Sequence, residues 1–297
     1  MIAKTKQVLI LTLCVLTLTL ASHSAEHEST FIGVTEPNHV WYLGEKIRTP
    51  FLIRVAFKYK NGIWRAMPNK SENQAELAAL VHDYPKEIDW NLSFDGKKIG
   101  GFRSYCPLKW TLYSEIGLEE PDIKAHIPAI KIGAKNFHYW GAWDLRTRPL
   151  VASSGHYLDD PDNWKSLVPP PNPSHALISA YRKATKSQAD GDLNPHEFTD
   201  KQILVRQYYK SWHGDELISL AVPSFEVKGE YDYEQWFCVR GNKISFLGSS
   251  LELIDAGDYD HDGHSEIVFH KRGYNYDAYV LVYEDLRKQL EFGWSYH

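Results

Sequence analysis

Acidic residues at alternating positions are the strongest chemical signal in this sequence. In the segment 258–266 they occupy the first, third, fifth and ninth positions, and a glycine follows the third acid directly. Calcium takes six to eight oxygen ligands at about 2.3–2.6 Å, and alternate side chains converge on an ion when the backbone wraps around it. Gly263 allows the sharp turn that this requires. The predicted Ca²⁺ ligands are the carboxylates of Asp258, Asp260, Asp262 and Glu266 and the main-chain carbonyl of His264.

The charge density of the 258–266 loop favours a bound cation. With Asp255 included, five carboxylates lie within twelve residues, and the next Lys or Arg is Lys271. Two carboxylates about 5 Å apart repel by roughly 3 kcal/mol at an effective dielectric constant near 20. A solvated acidic turn is the alternative interpretation. An EF-hand is excluded, because its bidentate glutamate belongs at the twelfth position, which is Phe269 here.

The residues around the loop carry a family resemblance. The loop runs into an apolar segment, Glu266 to Phe269, then a glycine-aromatic turn at Gly273-Tyr274 and a second apolar segment, Tyr279 to Tyr283. The last 60 or so residues, from about Gly241, resemble an FG-GAP or VCBS repeat, the calcium-binding blade of integrin-α-type β-propellers. The resemblance implies a calcium-stabilised blade in an extracellular binding or adhesion protein. The motif occurs once in this chain.

Three histidines, His261, His264 and His270, lie close to the loop in sequence. The fourth and seventh loop positions direct their side chains away from the ion, so solvent-facing histidines are predicted there. The alternative is a transition-metal site, but no H-E-x-x-H or similar spacing on a helix supports it.

The N-terminus has the organisation of a secretory signal peptide. Lys4 and Lys6 precede an apolar run over residues 8–20, and small residues follow at 21, 22, 24 and 25. A bilayer-spanning helix needs about 20 apolar residues, so the run is too short to cross comfortably. An uncleaved anchor is the alternative. We expect a signal peptide at 1–25, an exported protein that is periplasmic or extracellular, and no membrane span in the mature chain.

Composition limits the classes of fold and partner. Apolar residues make up 43% and charged residues 24% of the chain, which is typical of a globular protein. Removing residues 1–25 takes away two lysines and changes the net charge from −5 to −7, which disfavours nucleic acid as a partner. Ten Trp and 18 Tyr are consistent with packing in a β-protein or with a stacking surface for sugars or peptides. Cys106 and Cys238 would be the only cysteines left, as a disulfide or as two thiols.

Turn signals between short apolar segments predict a β-rich chain. Asn61-Gly62 and Asp95-Gly96 are hairpin turns by composition, because both positions tolerate positive φ. Short helices are expected at 74–82 and 174–185, with Ser174 as the N-cap of the second. We predict a mostly β fold, an antiparallel meander that is propeller-like or sandwich-like, with two or three short helices. The expected organisation is an N-terminal β-rich region at 26–168, a proline-rich linker or loop at 169–173 and a C-terminal β-rich region with the calcium loop at 174–297.

These patterns predict a secreted calcium-binding protein with a structural ion, which binds a saccharide or a cell-surface protein. The alternative is a secreted hydrolase or lyase that acts on glycans and also carries a structural Ca²⁺. The sequence contains no G-x-S-x-G, Walker or G-x-G-x-x-G motif, so no catalytic residue is predicted. A glycosidase carboxylate pair drawn from Glu115, Glu119, Asp159 and Asp162 would be arbitrary.

Overall fold

A computed structural model describes residues 29–37, 51–70, 73–106, 115–122, 124–125, 149–156, 158–188, 198–224, 231–273 and 275–296. The predicted signal peptide at 1–25 lies outside these residues. Within the described ranges, no helix is both long and apolar enough to cross a membrane.

The described residues form sixteen β-strands, two α-helices and one short 3₁₀ turn, η1. The strands are β1 Thr30–Pro37, β2 Phe51–Lys60, β3 Ile63–Ala66, β4 Glu87–Ser93, β5 Lys98–Tyr105, β6 Leu118–Pro121, β7 Val151–Ser153, β8 Lys165–Ser166, β9 Leu204–Lys210, β10 Glu216–Pro223, β11 Tyr231–Arg240, β12 Lys243–Ser249, β13 Leu251–Gly257, β14 Glu266–Gly273, β15 Tyr276–Tyr283 and β16 Lys288–Ser295. The helices are α1 Gln74–Val81 and α2 His175–Gln188, and η1 is Asp200–Gln202. All strand pairs among the described residues are antiparallel, and this arrangement with the predominance of strands confirms the mostly β, antiparallel prediction.

The N-terminal strands form a partly closed, barrel-like sheet. Its order is β1-β7-β4-β5-β6-β2, and pairing of β1 with β2 joins the ends, while β3 extends the edge as a hairpin partner of β2. Arg54 on β2 points outward, where its guanidinium lies 3.8 Å from the ring centroid of Trp294 on β16. Its neighbour Ile53 therefore points inward. Glu119 on β6 lies directly opposite Ile53 on β2, so the two side chains share a face and this fully buried acid lies in the barrel interior.

The C-terminal strands form two open meanders stacked on the barrel. The sheet β13-β14-β15-β16 is the middle layer. Val268 on one of its faces belongs to the core shared with the barrel, whereas Phe269 on the other face packs with Trp236 of the sheet β12-β11-β10-β9-β8. Helix α2 covers the far side of that second sheet through Leu177 and Tyr181. Because side chains alternate between the two faces of a strand, each sheet packs through apolar residues on both of its faces.

The turn residues in the sequence correctly predict the positions of two hairpin turns. Asn61 and Gly62 have φ values of 54° and 77°, and Asp95 and Gly96 have 59° and 65°. These left-handed conformations favour the residue types found there. Helix α2 begins as expected, since the Leu177 amide donates to the Ser174 hydroxyl at 3.3 Å.

Two further features concern the cysteines and the 169–173 segment. Cys106 packs against the barrel core and Cys238 lies in the core between the two meanders, and both are free thiols. The segment 169–173 joins β8 to α2 without regular structure. Strand β8 precedes it and pairs with β9, so the chain passes from barrel to meanders within 154–164.

Candidate metal centre

The 258–266 loop joins two strands of the middle sheet. Gly257 and Glu266 form the last pair of β13 and β14, so the acidic residues between them lie in the connection. Gly263 has a φ of 88° and His261 a φ of 64°. Two left-handed residues so close together reverse the chain within a few residues, and glycine adopts this conformation without a steric penalty.

This reversal brings three aspartates together. One carboxylate oxygen from each of Asp258, Asp260 and Asp262 lies within 4.8 Å of the other two, and we call these residues the aspartate triad. Amides of the loop hold the carboxylates in place. The Asp262 and Gly263 amides donate to Asp258 at 3.0 and 3.1 Å, and the His264 amide donates to Asp262 Oδ1 at 2.8 Å. The triad is therefore formed by the local backbone.

Glu266, the fourth predicted carboxylate, is buried beside the triad. Its side chain is 1% exposed, and Oε2 accepts a hydrogen bond from the Tyr259 amide at 2.7 Å. Burial, followed by the charge of Asp260, raises the pKa of Glu266 to about 9. Burial and the charge of Asp262 likewise raise the pKa of Asp260 to about 6, and burial raises that of Asp258. A divalent cation at the triad would reverse these shifts, because its charge stabilises the ionised acids.

The barrel contributes a residue that sequence reasoning missed. The Trp64 indole Nε1 donates to Asp260 Oδ2 at 2.8 Å, and Trp64 is 4% exposed. This contact joins the β2–β3 hairpin to a residue 196 positions away. It fixes one oxygen of Asp260, so the orientation of that carboxylate depends on the barrel.

A second acidic segment, the 158–164 turn, supports the loop from the other side. Asp160 accepts a 2.6 Å bond from the Ser265 hydroxyl, and Asp162 accepts a 2.9 Å bond from the Ser265 amide. The Asp258 amide donates to the Asp159 carbonyl at 2.9 Å. The acidic composition of the turn is visible in the sequence, but its contact with residues about 100 positions later is not.

Asp255, counted with the acidic residues in the sequence, has a different role. It accepts hydrogen bonds from the Ser93 hydroxyl at 2.8 Å and from the Gly96 amide at 3.2 Å. It therefore ties β13 to the β4–β5 hairpin of the barrel.

The histidines divide into two groups. The side chains of His261 and His264 are 60% and 49% exposed, as expected for the fourth and seventh loop positions. His270 is instead buried on β14, with its Nε2 3.7 Å from Asp277 Oδ2. Of the carboxylates considered for glycoside hydrolysis, Glu119 is buried in the barrel and Asp162 contacts the 258–266 loop.

No protein-family model, curated protein or solved structure matches this chain. The resemblance of the C-terminal residues to FG-GAP and VCBS repeats therefore stays a prediction.

Proposed function

We propose that this chain is an exported, calcium-stabilised binding protein whose ion is structural. The Ca²⁺ ligands in this proposal are the aspartate triad, Glu266 and the His264 carbonyl. The observation that carries it is the convergence of three carboxylate oxygens within 4.8 Å beside the buried acid Glu266. In the absence of a cation these acids oppose one another's ionisation.

The type of donor favours calcium over other ions. The triad offers only carboxylate oxygens, which are hard ligands suited to calcium, magnesium and manganese. Magnesium requires near-ideal octahedral geometry and retains several waters, whereas calcium accepts the irregular, ligand-rich geometry of a wrapped loop. The nine-residue spacing from Asp258 to Glu266 supplies such a loop.

An ion at this position would hold three parts of the fold together. The loop joins β13 to β14, Trp64 connects it to the barrel, and Ser265 connects it to the 158–164 turn. Neutralising the acids stabilises all three contacts at once. We therefore propose that the ion stabilises the fold and that the neighbouring surface binds the partner.

Exposed aromatic residues support a saccharide or a cell-surface protein as the partner. Trp212 is 66% exposed, and its ring lies 4.2 Å from that of His213 in the β9–β10 turn. The Trp212 amide donates to the carbonyl of Asp162, which places this platform beside the 158–164 turn. Flat aromatic rings are suited to stacking on apolar faces of a ligand.

Two experiments test the proposal. The melting temperature should rise when Ca²⁺ replaces EGTA, and the double variant Asp260→Ala/Asp262→Ala should lower it in Ca²⁺ and abolish the response. A glycan array followed by an assay for reducing-sugar release then tests whether the protein binds a saccharide without cleaving it. Binding without release supports a binding protein, whereas release of sugar contradicts it and favours the glycan-acting enzyme.

A further inference from the structure

A second group of metal-ligand side chains lies next to the aspartate triad. His213 Nε2 is 3.6 Å from Asp162 Oδ1, and His264 Nδ1 is 3.9 Å from the same oxygen. The three residues come from three separate connections: the 158–164 turn, the β9–β10 turn and the 258–266 loop. The fold therefore brings two imidazoles to one carboxylate from positions that are about 50 residues apart in sequence.

Asp162 is held in place by its main chain and its other oxygen. Its Oδ2 accepts a 2.9 Å bond from the Ser265 amide, and its carbonyl accepts a 2.9 Å bond from the Trp212 amide. The Asp162 side chain is only 13% exposed, whereas the two histidine side chains are 49% exposed. A fixed carboxylate thus faces two half-exposed imidazoles, of which the His213 ring also contacts Trp212.

We propose that Asp162, His213 and His264 form a site for a divalent transition-metal ion of the zinc type. Two imidazole nitrogens and one carboxylate oxygen are the ligand set that such ions prefer, at about 2.0–2.2 Å. For both nitrogens to bind one ion, the two exposed rings must rotate from their present positions, 3.6 and 3.9 Å from Asp162 Oδ1. Solvent completes a tetrahedral shell, because three protein residues supply three of its four positions.

The surroundings favour a cation over simple ion pairing of the histidines. Asp160 and Asp258 lie in the connections that supply Asp162 and His264, so the local potential is negative. The site is chemically distinct from the proposed calcium site, because calcium takes oxygen ligands whereas this group offers nitrogen. The two sites share His264 but use different atoms of it.

Zinc titration of the untagged chain tests this site. The protein is first stripped of metal and then saturated with Ca²⁺, and Zn²⁺ binding is measured by calorimetry. The wild type should bind one Zn²⁺ per chain with high affinity, and Co²⁺ in its place should give the visible absorption of a tetrahedral site. His213→Ala and His264→Ala should each lower the zinc affinity at least tenfold.

His261→Ala is the matched control, because this residue lies in the same loop, is 60% exposed and has its Nδ1 3.9 Å from Asp258. It should bind zinc like the wild type. The proposal is overturned if the wild type binds no Zn²⁺, if neither His213→Ala nor His264→Ala weakens binding, or if His261→Ala weakens it equally. Calcium titrations of the same samples report the aspartate triad separately, so failure of one site does not imply failure of the other.

Discussion

Replacing Asp260 with asparagine should have opposite effects on stability with and without calcium. Asparagine keeps an oxygen that can accept the Trp64 indole hydrogen bond but removes one negative charge from the triad. Without an ion, that charge opposes its neighbours, so its removal should stabilise the fold. With Ca²⁺ bound, the same charge is a ligand, so its removal should destabilise the complex.

The magnitude follows from the pKa of Asp260. Burial and the nearby Asp262 charge raise this pKa from 3.8 to about 6. A carboxyl whose folded-state pKa is raised loses stability as pH increases through that interval, by 1.36 kcal/mol per pKa unit, or about 3 kcal/mol in full. Solvent screening of this partly exposed side chain reduces the figure to about 1–2 kcal/mol. For a chain of this size that corresponds to an increase of about 2–4 °C in the melting temperature.

Differential scanning calorimetry at pH 7.5 in EGTA and in excess Ca²⁺ measures both effects. Asp260→Asn should melt above the wild type in EGTA and below it in Ca²⁺. Asp83→Asn, a change at an exposed acid after α1, should alter neither value by more than a degree or so. If Asp260→Asn melts below the wild type in both buffers, repulsion within the triad does not determine the stability of the calcium-free protein.

Three further changes test other parts of the fold. In the wild type, the unfolding free energy should fall by about 3 kcal/mol as pH rises from about 4.5 to 7, because burial raises the pKa of Glu119 to about 7 and the folded state therefore binds the proton more tightly. Glu119→Gln should remove this decrease, which urea unfolding at pH 5 and 7.5 measures. An equal decrease in variant and wild type would contradict the prediction. Trp64→Phe keeps a ring but loses the bond to the loop, worth about 1 kcal/mol, so calcium titration should show roughly fivefold weaker binding, and unchanged affinity would refute this contact's role. Glu36→Gln should lower the unfolding free energy measured in urea by about 3 kcal/mol, because it leaves the 2%-exposed Arg54 guanidinium without its carboxylate partner at 2.6 Å. Asp89→Asn, in an exposed ion pair, should have a much smaller effect. Equal effects of the two changes would show that burial does not matter.

Features encoded over a few residues were predictable from the sequence. The Asn61-Gly62 and Asp95-Gly96 turns depend on residues that tolerate positive φ, so their hairpins could be located before the fold was known. The aspartate triad is also local, because three alternating acids and Gly263 lie within six residues. Its convergence needs only a sharp reversal of the backbone.

Features that depend on distant residues could not be predicted. Barrel closure requires β1 to pair with both β2 and β7, and no short-range pattern specifies these partners. The same limit applies to Trp64, which reaches the loop from 196 residues away, and to the 158–164 turn, which was recognisable as acidic but not as a neighbour of Ser265. His270 lies near the loop in sequence, yet its position on β14 buries it away from the loop turn.

A calcium titration of the purified, metal-free chain by calorimetry tests the central claim most directly. The expected result is one Ca²⁺ bound per wild-type chain and none at the same concentrations in Asp260→Ala/Asp262→Ala. Absence of binding to the folded wild type, or equal binding to the double variant, would contradict a calcium site in the 258–266 loop.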